Sequence, residues 1–477
     1  MMSGPKILLV ASEGVPFVKT GGLADVVGAL PKVLAALGAD VRVMLPKHSA
    51  VKDRWQDELE TAWETQISLG WRKKYLGIQT LEMEGIRYYF IDNEDYFQGP
   101  VYRGGDDENE QYLFFCRAVC EALLLIDFTP DVLHLNDWHT GMIPLLLKTQ
   151  YAGRLHKEAR TLFTIHNIQF QGQMSFGLMQ DLLGIPKDYN SPAYVGMDGG
   201  ANMMKAALVF ADKISTVSPN YAHEILLPYF GCGMESVLSA RRDDLVGILN
   251  GIDTERFDPA SDALAANYSQ DDLRGKQACK RALLSRFALD GTPGVPVIAM
   301  VSRMTAQKGF DLVRYALEEL LREDLRFVVL GSGDAEYQNF FNYIAAKYPG
   351  KAGVYIGYDE ALARMIYAGA DFFLMPSRFE PCGLSQMIAQ RYGTLPIVRE
   401  TGGLVDTVAP YNQYTGEGTG FGFATFNAHD MMDAVRLALS VYKDKPALRN
   451  LRRGAMALDH SFEKSARQYL ALYRSMR

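Results

Sequence analysis

The sequence has few cysteines, no long apolar run and no excess of positive charge. Its five cysteines include no CxxC pair, which is typical of reduced thiols in a cytosol rather than of a disulfide framework. The apolar stretch at residues 7–11 is too short for a signal peptide or a membrane span, so we expect a cytoplasmic protein without a membrane anchor. A formal net charge of -7 over 477 residues argues against nucleic acid as a partner.

Several cofactor and metal motifs are also missing. No G-x-G-x-x-G follows the first apolar run and there is no Walker A sequence, so neither a dinucleotide-dependent dehydrogenase nor a P-loop enzyme is indicated. His139 and His166 have neither HExxH spacing nor a nearby cysteine pair. We therefore expect no metal and no cofactor.

The chain does contain two series of short β-branched runs that alternate with helical patterns, which indicates βαβ units and mostly parallel sheets. Strands are predicted at residues 6–12, 41–45, 87–91, 132–136, 161–166 and 213–217, and then at 297–302, 326–330, 353–356, 371–375 and 396–398. We therefore predict an α/β protein with two doubly wound, Rossmann-like domains, at residues 1–250 and 251–459, that face a central cleft.

One short motif occurs twice, as TGGLADVV at residues 20–27 and as TGGLVDTV at residues 401–408. Each copy places two glycines before a predicted helix, where free backbone N–H groups would receive an anion or a polarised oxygen. A turn with a purely structural purpose is the alternative, because glycine is the usual residue in such turns.

Charged side chains follow two strands in the second half. Arg303 closes one strand and Lys308 follows it, and two cations at a strand end suit a diphosphate, although solvated loop residues are the plain alternative. Glu380 lies in the turn after residues 371–375, where a carboxylate can bond sugar hydroxyls or face an oxocarbenium-like transition state. A carboxylate that only stabilises a helix N-terminus would look the same.

His166 follows a predicted strand in the first half, within TIHNIQFQG. We interpret it as a hydrogen-bond donor to a substrate, and the alternative is a core histidine bonded to a backbone carbonyl.

Taken together, the motifs resemble one family over nearly the whole chain, the bacterial and plastid glycogen (starch) synthases of the two-domain GT-B architecture. The motifs that occur in the family's order are KTGGLADVVGALP, HLNDWHTG, TIHNIQFQG, TVSPNYAHEI, ILNGID, SRMTAQKG, GSGD, IGYDE, PSRFEPCGL and TGGLVDTV. The resemblance implies a metal-independent, retaining transfer of glucose from ADP-glucose to the non-reducing 4-hydroxyl of an α-1,4-glucan, such as glycogen or a maltooligosaccharide.

The resemblance also implies a role for each domain. The N-terminal domain would bind the acceptor, with a C-terminal helix at about residues 460–477 packed back on it, and the C-terminal domain would bind the nucleotide-sugar donor. Lys19 would approach the donor, His166 would contact the transferred glucose, and Asp137 would belong to the acceptor side. Asn250 would lie near the cleft.

On the donor side, the resemblance gives Arg303 and Lys308 the diphosphate of ADP, and Tyr358 the adenine. The catalytic residues that it implies are Lys19, His166, Arg303, Lys308 and Glu380. The substrate-binding residues that it implies are Gly21, Gly22, Asp25, Asp137, Asn250, Tyr358, Cys382, Gly383, Leu384 and Ser385, with Leu384 and Ser385 offering N–H groups to phosphate.

Three other functions stay open at the level of the sequence. The same reaction could use UDP-glucose, a pyridoxal-phosphate-dependent phosphorylase has a similar architecture, and a catalytically weak glucan-binding homologue would keep the fold. Ile388 stands where related transferases of other branches have a second glutamate, which favours the glycogen synthase branch. Met204 and Ala207 depart from the family's usual residues, so the acceptor preference is less clearly indicated.

Overall fold

The computed structural model describes residues 4–155 and 157–477. The chain forms two compact units. Unit 1 contains the residues up to Gly251 together with Phe462–Arg477, and unit 2 contains Ile252–Ser461. Each unit has a β-sheet, covering helices and its own apolar core. The predicted α/β class is therefore confirmed in both units.

Unit 1 is built on a nine-stranded sheet and a small three-stranded sheet. Its strands are β1 Lys6–Val10, β2 Asp40–Pro46, β3 Glu60–Leu69, β4 Arg72–Met83, β5 Ile86–Asp92, β6 Val132–Asn136, β7 Arg160–Ile165, β8 Gln173–Met174, β9 Gly196–Met197, β10 Gly200–Asn202, β11 Lys213–Thr216 and β12 Leu245–Gly247. The large sheet has the order β12-β11-β7-β6-β1-β2-β5-β4-β3. Its strands are parallel except β4, which is antiparallel to both β3 and β5.

Unit 2 is built on one six-stranded, fully parallel sheet. Its strands are β13 Val297–Val301, β14 Arg326–Gly331, β15 Ala352–Ile356, β16 Phe372–Met375, β17 Leu395–Arg399 and β18 Phe421–Phe423. Their order is β15-β14-β13-β16-β17-β18. The chain therefore starts near the middle of the sheet and winds outward in both directions, as in doubly wound folds.

Helices follow most of the strands in both units. Those of unit 1 are α1 Gly22–Ala36, α2 Ser49–Trp55, α3 Glu94–Phe97, α4 Gly105–Ala122, α5 Ile143–Lys148, α6 Phe176–Leu183, α7 Met203–Phe210, α8 Pro219–Glu224 and α9 Glu235–Ala240. Those of unit 2 are α10 Arg274–Arg286, α11 Phe310–Leu320, α12 Ala335–Lys347, α13 Glu360–Gly369, α14 Ser385–Arg391, α15 Gly403–Thr407, α16 Ala428–Lys443 and α17 Lys445–Met456. The last helix, α18 Phe462–Ser475, belongs to unit 1. Among the helices of the described residues, none is both long and apolar enough to cross a membrane.

The first strand of unit 1 is buried on both faces of the sheet. Ile7 and Leu9 belong to one core cluster, whereas Leu8 and Val10 belong to another. Since alternate residues of a strand point to opposite faces, both faces of β1 are buried under apolar side chains. A continuous apolar run, rather than an alternating one, is the sequence signal for such a strand.

The hairpin of β3 and β4 is the main element that the sequence pattern did not predict. The prediction of mostly parallel strands is confirmed, and this hairpin adds the one antiparallel strand, β4, of the large sheet. Most side chains of β3 are exposed, so its sequence, ETAWETQISL, lacks the apolar run that marks a buried strand.

The C-terminal helix α18 packs on α1 within unit 1. Ala466 and Tyr469 are buried in the same core cluster as Val26 and Leu30 of α1. Tyr473 is fully buried, and its hydroxyl is 2.8 Å from Nδ1 of His134 on β6. A polar contact inside an apolar interface fixes where the helix sits along the sheet.

A buried ion network links two helices of unit 2 to its sheet. Asp371 immediately precedes β16 and accepts from Lys280 Nζ at 2.6 Å, from Arg452 NH2 at 2.5 Å and from the backbone N–H of Val297 at 2.8 Å. Burial alone would raise the pKa of Asp371, but the charges of Lys280 and Arg452 outweigh it and hold this pKa below its ordinary value. The network ties α10 and α17 to the sheet.

We predict that Asp371→Asn destabilises the chain by about 3–5 kcal/mol, because it leaves two buried cations without their counterion. Guanidinium unfolding of the full-length chain measures the loss, and the stabilisation from Asp371 should fade in wild type as the pH falls through the folded-state pKa. Asp272→Asn, which breaks an exposed pair with Arg274 in the same unit, is the control. Equal losses in the two variants would contradict the prediction.

Candidate functional site

Glu380 lies in the turn between β16 and α14, and its side chain is buried. Lys308 ends a short 3-10 helix, Ala306–Lys308, that follows the neighbouring strand β13. Lys308 Nζ donates to both carboxylate oxygens of Glu380, at 2.9 Å to Oε1 and 2.7 Å to Oε2, and Ser377 Oγ donates to Oε2 at 2.9 Å. Because the carboxyl ends of parallel neighbours lie at one edge of the sheet, two residues far apart in sequence form one buried ion pair.

Arg303 follows β13 on the same loop, but its surroundings differ from those of Lys308. Its side chain is exposed, and its guanidinium makes no hydrogen bond or ion pair with any residue that the structure describes. A guanidinium without a protein partner can donate two hydrogen bonds to a phosphate without first losing a protein contact. Lys308 is therefore held by a carboxylate, whereas the guanidinium of Arg303 is available to bind a ligand.

The turn after Glu380 leads into helix α14. Cys382 is buried, Gly383 has a left-handed φ of +72°, Leu384 is the N-cap and Ser385 is the first helical residue. The predicted phosphate contacts of the N–H groups of Leu384 and Ser385 stay a prediction.

The second Thr-Gly-Gly motif packs directly against the turn between β16 and α14 that contains Glu380, which we call the glutamate turn. Gly403 donates its N–H to the carbonyl oxygens of Glu380 and Pro381, at 3.0 and 3.2 Å. Gly402 has a φ of +50°, and a Cβ placed on it would lie 1.8 Å from the carbonyl oxygen of Glu380. Glycine is required here by both the backbone conformation and the space. The prediction that this copy presents free N–H groups to an anion is wrong for Gly403, whose N–H is bonded to the protein.

The first Thr-Gly-Gly motif binds a buried carboxylate of unit 1. Glu13 Oε2 accepts from Thr20 N–H, from Thr20 Oγ1 at 2.7 Å and from Gly21 N–H at 3.3 Å. Burial raises the pKa of Glu13, and these hydrogen bonds counteract part of the rise. The N–H group of Gly21 is therefore also bonded within the protein, so the prediction of a free N–H is wrong for Gly21 and stays a prediction for Gly22.

Asp137 follows β6 and occupies a strained backbone position. Its φ is +57° and its ψ is 175°, a region that only glycine enters easily. Its Oδ1 accepts from the backbone N–H groups of His166, at 2.7 Å, and Asn167, at 3.3 Å. Burial raises the pKa of Asp137 to about 7. Asp137 therefore has both a strained backbone and a buried carboxylate, and each of these features is common at functional sites.

The hydrogen bonds of Asn136 determine which nitrogen of His166 carries a proton. Asn136 Nδ2 donates to the carbonyl oxygens of Val10 and His134, both at 3.1 Å, so its Oδ1 is the atom that faces His166. His166 Nε2 lies 2.9 Å from that oxygen and must donate to it. Burial lowers the pKa of His166 to about 3, so the ring is neutral and its Nδ1 is an acceptor. The prediction of a donor to substrate is corrected, because Nδ1 can only accept from a substrate hydroxyl.

The remaining predicted residues lie in three places. Lys19 Nζ pairs with Asp25 Oδ1 at 2.8 Å near the start of α1, which begins at Gly22. Tyr358 follows β15 and is 71 % exposed. Asn250 is buried at the end of the first segment of unit 1, and its Oδ1 has no partner among the described residues.

The structure thus groups the predicted residues into separate sets within each unit. In unit 2 it joins Lys308 to Glu380, and in unit 1 it joins Asp137 to His166 and Lys19 to Asp25. Within the described residues, no group of three or more His, Cys, Asp or Glu side chains is placed to hold a metal ion.

Three residues of these sets were missed in the sequence, Glu13, Asn136 and Ser377. Asn136 and Ser377 lie beside Asp137 and Glu380 in polar segments that follow apolar strands, which was the available signal. Glu13 follows the first strand by only a few residues, but nothing in its spacing indicates a contact with Thr20.

Comparisons with known proteins point to one family. A family model described as "Starch synthase catalytic domain" matches residues 6–240, and one described as "Glycosyl transferases group 1" matches residues 285–455. A glycogen synthase of Geobacillus thermodenitrificans is 52% identical over 473 residues, which cover 99% of this chain and 98% of that protein. A glycogen synthase of Clostridioides difficile is 46% identical over 478 residues, which cover 99% of each chain.

Solved structures give a similar result. The catalytic domain of starch synthase IV from Arabidopsis thaliana, bound to ADP and acarbose, matches with a TM-score of 0.92 and 34% identity over 99% of each chain. A sucrose-phosphate synthase from Thermosynechococcus elongatus matches with a TM-score of 0.62 at 19% identity, which shows a shared fold alone.

We predict that Asp137→Asn stabilises the chain at pH 8 by about 1–3 kcal/mol, because asparagine can accept the same N–H groups without burying a charge. An unfolded aspartate ionises near pH 4, so the raised folded-state pKa costs the wild type stability as the pH rises from about 4 to about 7. Urea unfolding of both proteins between pH 5 and 8.5 measures the difference, which should shrink towards pH 5. A difference that is independent of pH would contradict this account of Asp137.

Proposed function

Because the chain belongs to the glycogen and starch synthase family of glycosyltransferases, we propose that it transfers glucose from ADP-glucose to the non-reducing 4-hydroxyl of an α-1,4-glucan with retention of configuration. The observation that carries the proposal is the ion pair of Lys308 and Glu380 beside the partnerless guanidinium of Arg303. The solved relative that binds ADP and acarbose supports a nucleotide and a glucan as the two ligand types.

The cations of unit 2 suit the leaving group. In the reaction the bond between C1 of glucose and the diphosphate breaks, and negative charge develops on the departing phosphate oxygen. Arg303 would bind the diphosphate directly, and Lys308 would turn from Glu380 to the same group. Cations placed where charge develops lower the barrier of the chemical step.

The carboxylate of Glu380 becomes available to the sugar when Lys308 turns away from it. An uncompensated carboxylate beside the sugar can accept from glucose hydroxyls and stabilise positive charge at C1 in an oxocarbenium-like transition state. The acceptor's 4-hydroxyl attacks C1 from the face that ADP leaves, and its proton passes to the departing phosphate oxygen. Retention then needs no covalent intermediate on the protein, and we favour this front-face displacement over a double displacement.

Unit 1 supplies the remaining contacts of the proposal. His166 would accept from a hydroxyl of the transferred glucose through Nδ1, and Lys19 would approach the donor. Asp137 would hold His166 in place through its backbone N–H and contribute to the acceptor side. We assign supporting contacts to Gly21, Gly22, Asp25, Asn250, Tyr358, Cys382, Gly383, Leu384 and Ser385.

We also propose that the chain acts in the cytoplasm. None of its five cysteines, all of which lie in the described residues, forms a disulfide. A reducing compartment suits this pattern.

We predict that wild-type protein with glycogen releases ADP from ADP-glucose and lengthens the glucan chains, and that Lys308→Ala and Glu380→Ala each lower kcat by about 10²-fold or more. The coupled measurement is ADP release together with the length distribution of the chains. Lys347→Ala removes an exposed pair with Glu318 in the same unit and should keep wild-type kcat.

Three results would overturn this proposal. A strong preference for UDP-glucose would reject the donor, near-normal turnover in both variants would reject the assigned roles, and a bound pyridoxal chromophore would favour a phosphorylase.

A further inference from the structure

Gln386 lies in the first turn of α14, directly after the glutamate turn, and its side chain is fully buried. Its Nε2 donates to the carbonyl oxygens of Cys382, at 3.1 Å, and Gly383, at 3.0 Å. The same nitrogen lies 3.0 Å from Thr407 Oγ1 on α15. One buried amide therefore contacts two successive carbonyls of the turn and the neighbouring helix.

These two contacts fix the direction of two N–H groups. In a planar trans peptide, the carbonyl and the following N–H point in opposite directions. When Gln386 holds the carbonyls of Cys382 and Gly383 on its own side, the N–H groups of Gly383 and Leu384 face the other side. None of the described residues accepts a hydrogen bond from either N–H. Two adjacent donors are thus oriented and left without a protein partner.

The absence of a side chain at Gly383 is what lets the amide come so close. Gly383 has a φ of +72°, and a Cβ placed on it would lie 2.4 Å from Gln386 Oε1. That oxygen is itself buried without a partner among the described residues. The donors of this amide, rather than its acceptor, therefore account for its place in the structure.

Thr407 completes the support from the other side of the turn. Its hydroxyl donates to the carbonyl oxygen of Gly403 at 2.7 Å, so its oxygen can share, through a lone pair, one of the two Nε2 hydrogens that Gln386 donates to the turn. Gly403 in turn donates its N–H to the carbonyl oxygen of Glu380. The chain of contacts runs from Gln386 through Thr407 and Gly403 to Glu380, and it holds the turn at both ends.

We propose that Gln386 is a positioning residue, which aims the N–H groups of Gly383 and Leu384 at the hydroxyl and phosphate oxygens of the nucleotide sugar. The inference rests on the proposed function and deepens it. Gln386 does not touch the substrate, and it acts through the two peptide groups that it orients. Oriented backbone donors of this kind stabilise charge that develops on an oxygen.

Gln390 provides a matched control. It lies one turn further along α14, is also fully buried, and donates through Nε2 to the carbonyl oxygen of Thr407 at 3.0 Å. It has no hydrogen bond to Cys382 or Gly383 in the structure. A loss that comes only from removing a buried amide should affect both glutamines alike.

The first test compares Gln386→Met with Gln390→Met in steady-state assays with ADP-glucose and glycogen. Methionine keeps the length of the side chain and removes its donors. We expect Gln386→Met to lower kcat/KM for ADP-glucose by about 10–100-fold, with KM for glycogen within about twofold of wild type. Gln390→Met should stay within about threefold of wild type in both parameters.

The second test uses Gln386→Glu and the dependence of its activity on pH. A protonated glutamic acid can still donate to one carbonyl, whereas an ionised one repels both, and burial raises the pKa of such a group. The activity of Gln386→Glu relative to wild type should therefore rise as the pH falls from 8.5 to 5.5. Gln390→Glu buries the same ionisable group one turn further along α14 and is the control, and a residue that only fills space would give the same pH dependence in both variants.

The outcomes separate the inference from the function on which it rests. If wild type is active but Gln386→Met loses no more than Gln390→Met, or the Gln386→Glu ratio depends on pH no more than the Gln390→Glu ratio, the positioning role is wrong and the proposed function stands. If wild type releases no ADP from ADP-glucose, both are overturned. A larger loss in Gln386→Met, together with a Gln386→Glu ratio that rises towards low pH more than the Gln390→Glu ratio does, supports the inference.

Discussion

The ion pair between Lys308 and Glu380 is the interaction on which the proposed reaction depends. Both side chains are largely withdrawn from water, and Ser377 donates to the same carboxylate. A buried charge that loses its partner costs free energy, so separation of the pair is unfavourable until another group compensates the buried carboxylate of Glu380. In the proposed reaction, the diphosphate of the nucleotide sugar would offer Lys308 a new anion, and its glucose would offer hydroxyl donors to Glu380. The pair thus keeps both residues in place before the substrate binds.

The Thr-Gly-Gly motifs show how one short sequence supports two different loops. In unit 1 the motif donates its N–H groups to the carboxylate of Glu13, and in unit 2 it donates to the backbone carbonyl of Glu380. In both units the glycines place a helix start against a glutamate-bearing loop. The N–H groups of Gly383 and Leu384, by contrast, have no protein acceptor among the described residues, and Gln386 takes up the carbonyls on the opposite side. Anion-binding capacity therefore depends on which oxygens the protein itself has already supplied.

Much of the fold could be predicted because its central strands are covered on both faces. Val297–Val301 and Phe372–Met375 are continuous apolar runs, and such a run is typical of a buried strand in a parallel sheet. The hairpin of β3 and β4 could not be predicted, since its polar edge lacks that pattern. The family's motifs located Lys308 and Glu380, but not their contact, which arises only when β13 and β16 become neighbours. The protonated nitrogen of His166 was also beyond the sequence, because the two carbonyls that orient Asn136 decide it.

Whether Glu380 and the diphosphate compete for Lys308 is tested most directly by calorimetric binding of ADP to wild type and to Glu380→Gln. If Glu380 holds Lys308 until the diphosphate arrives, removing the carboxylate's charge frees Lys308 in advance. We predict that Glu380→Gln binds ADP at least as tightly as wild type, even though its turnover is lower. A Kd for ADP that rises tenfold or more in Glu380→Gln would contradict it, because Glu380 would then be supporting the nucleotide rather than competing with it for Lys308.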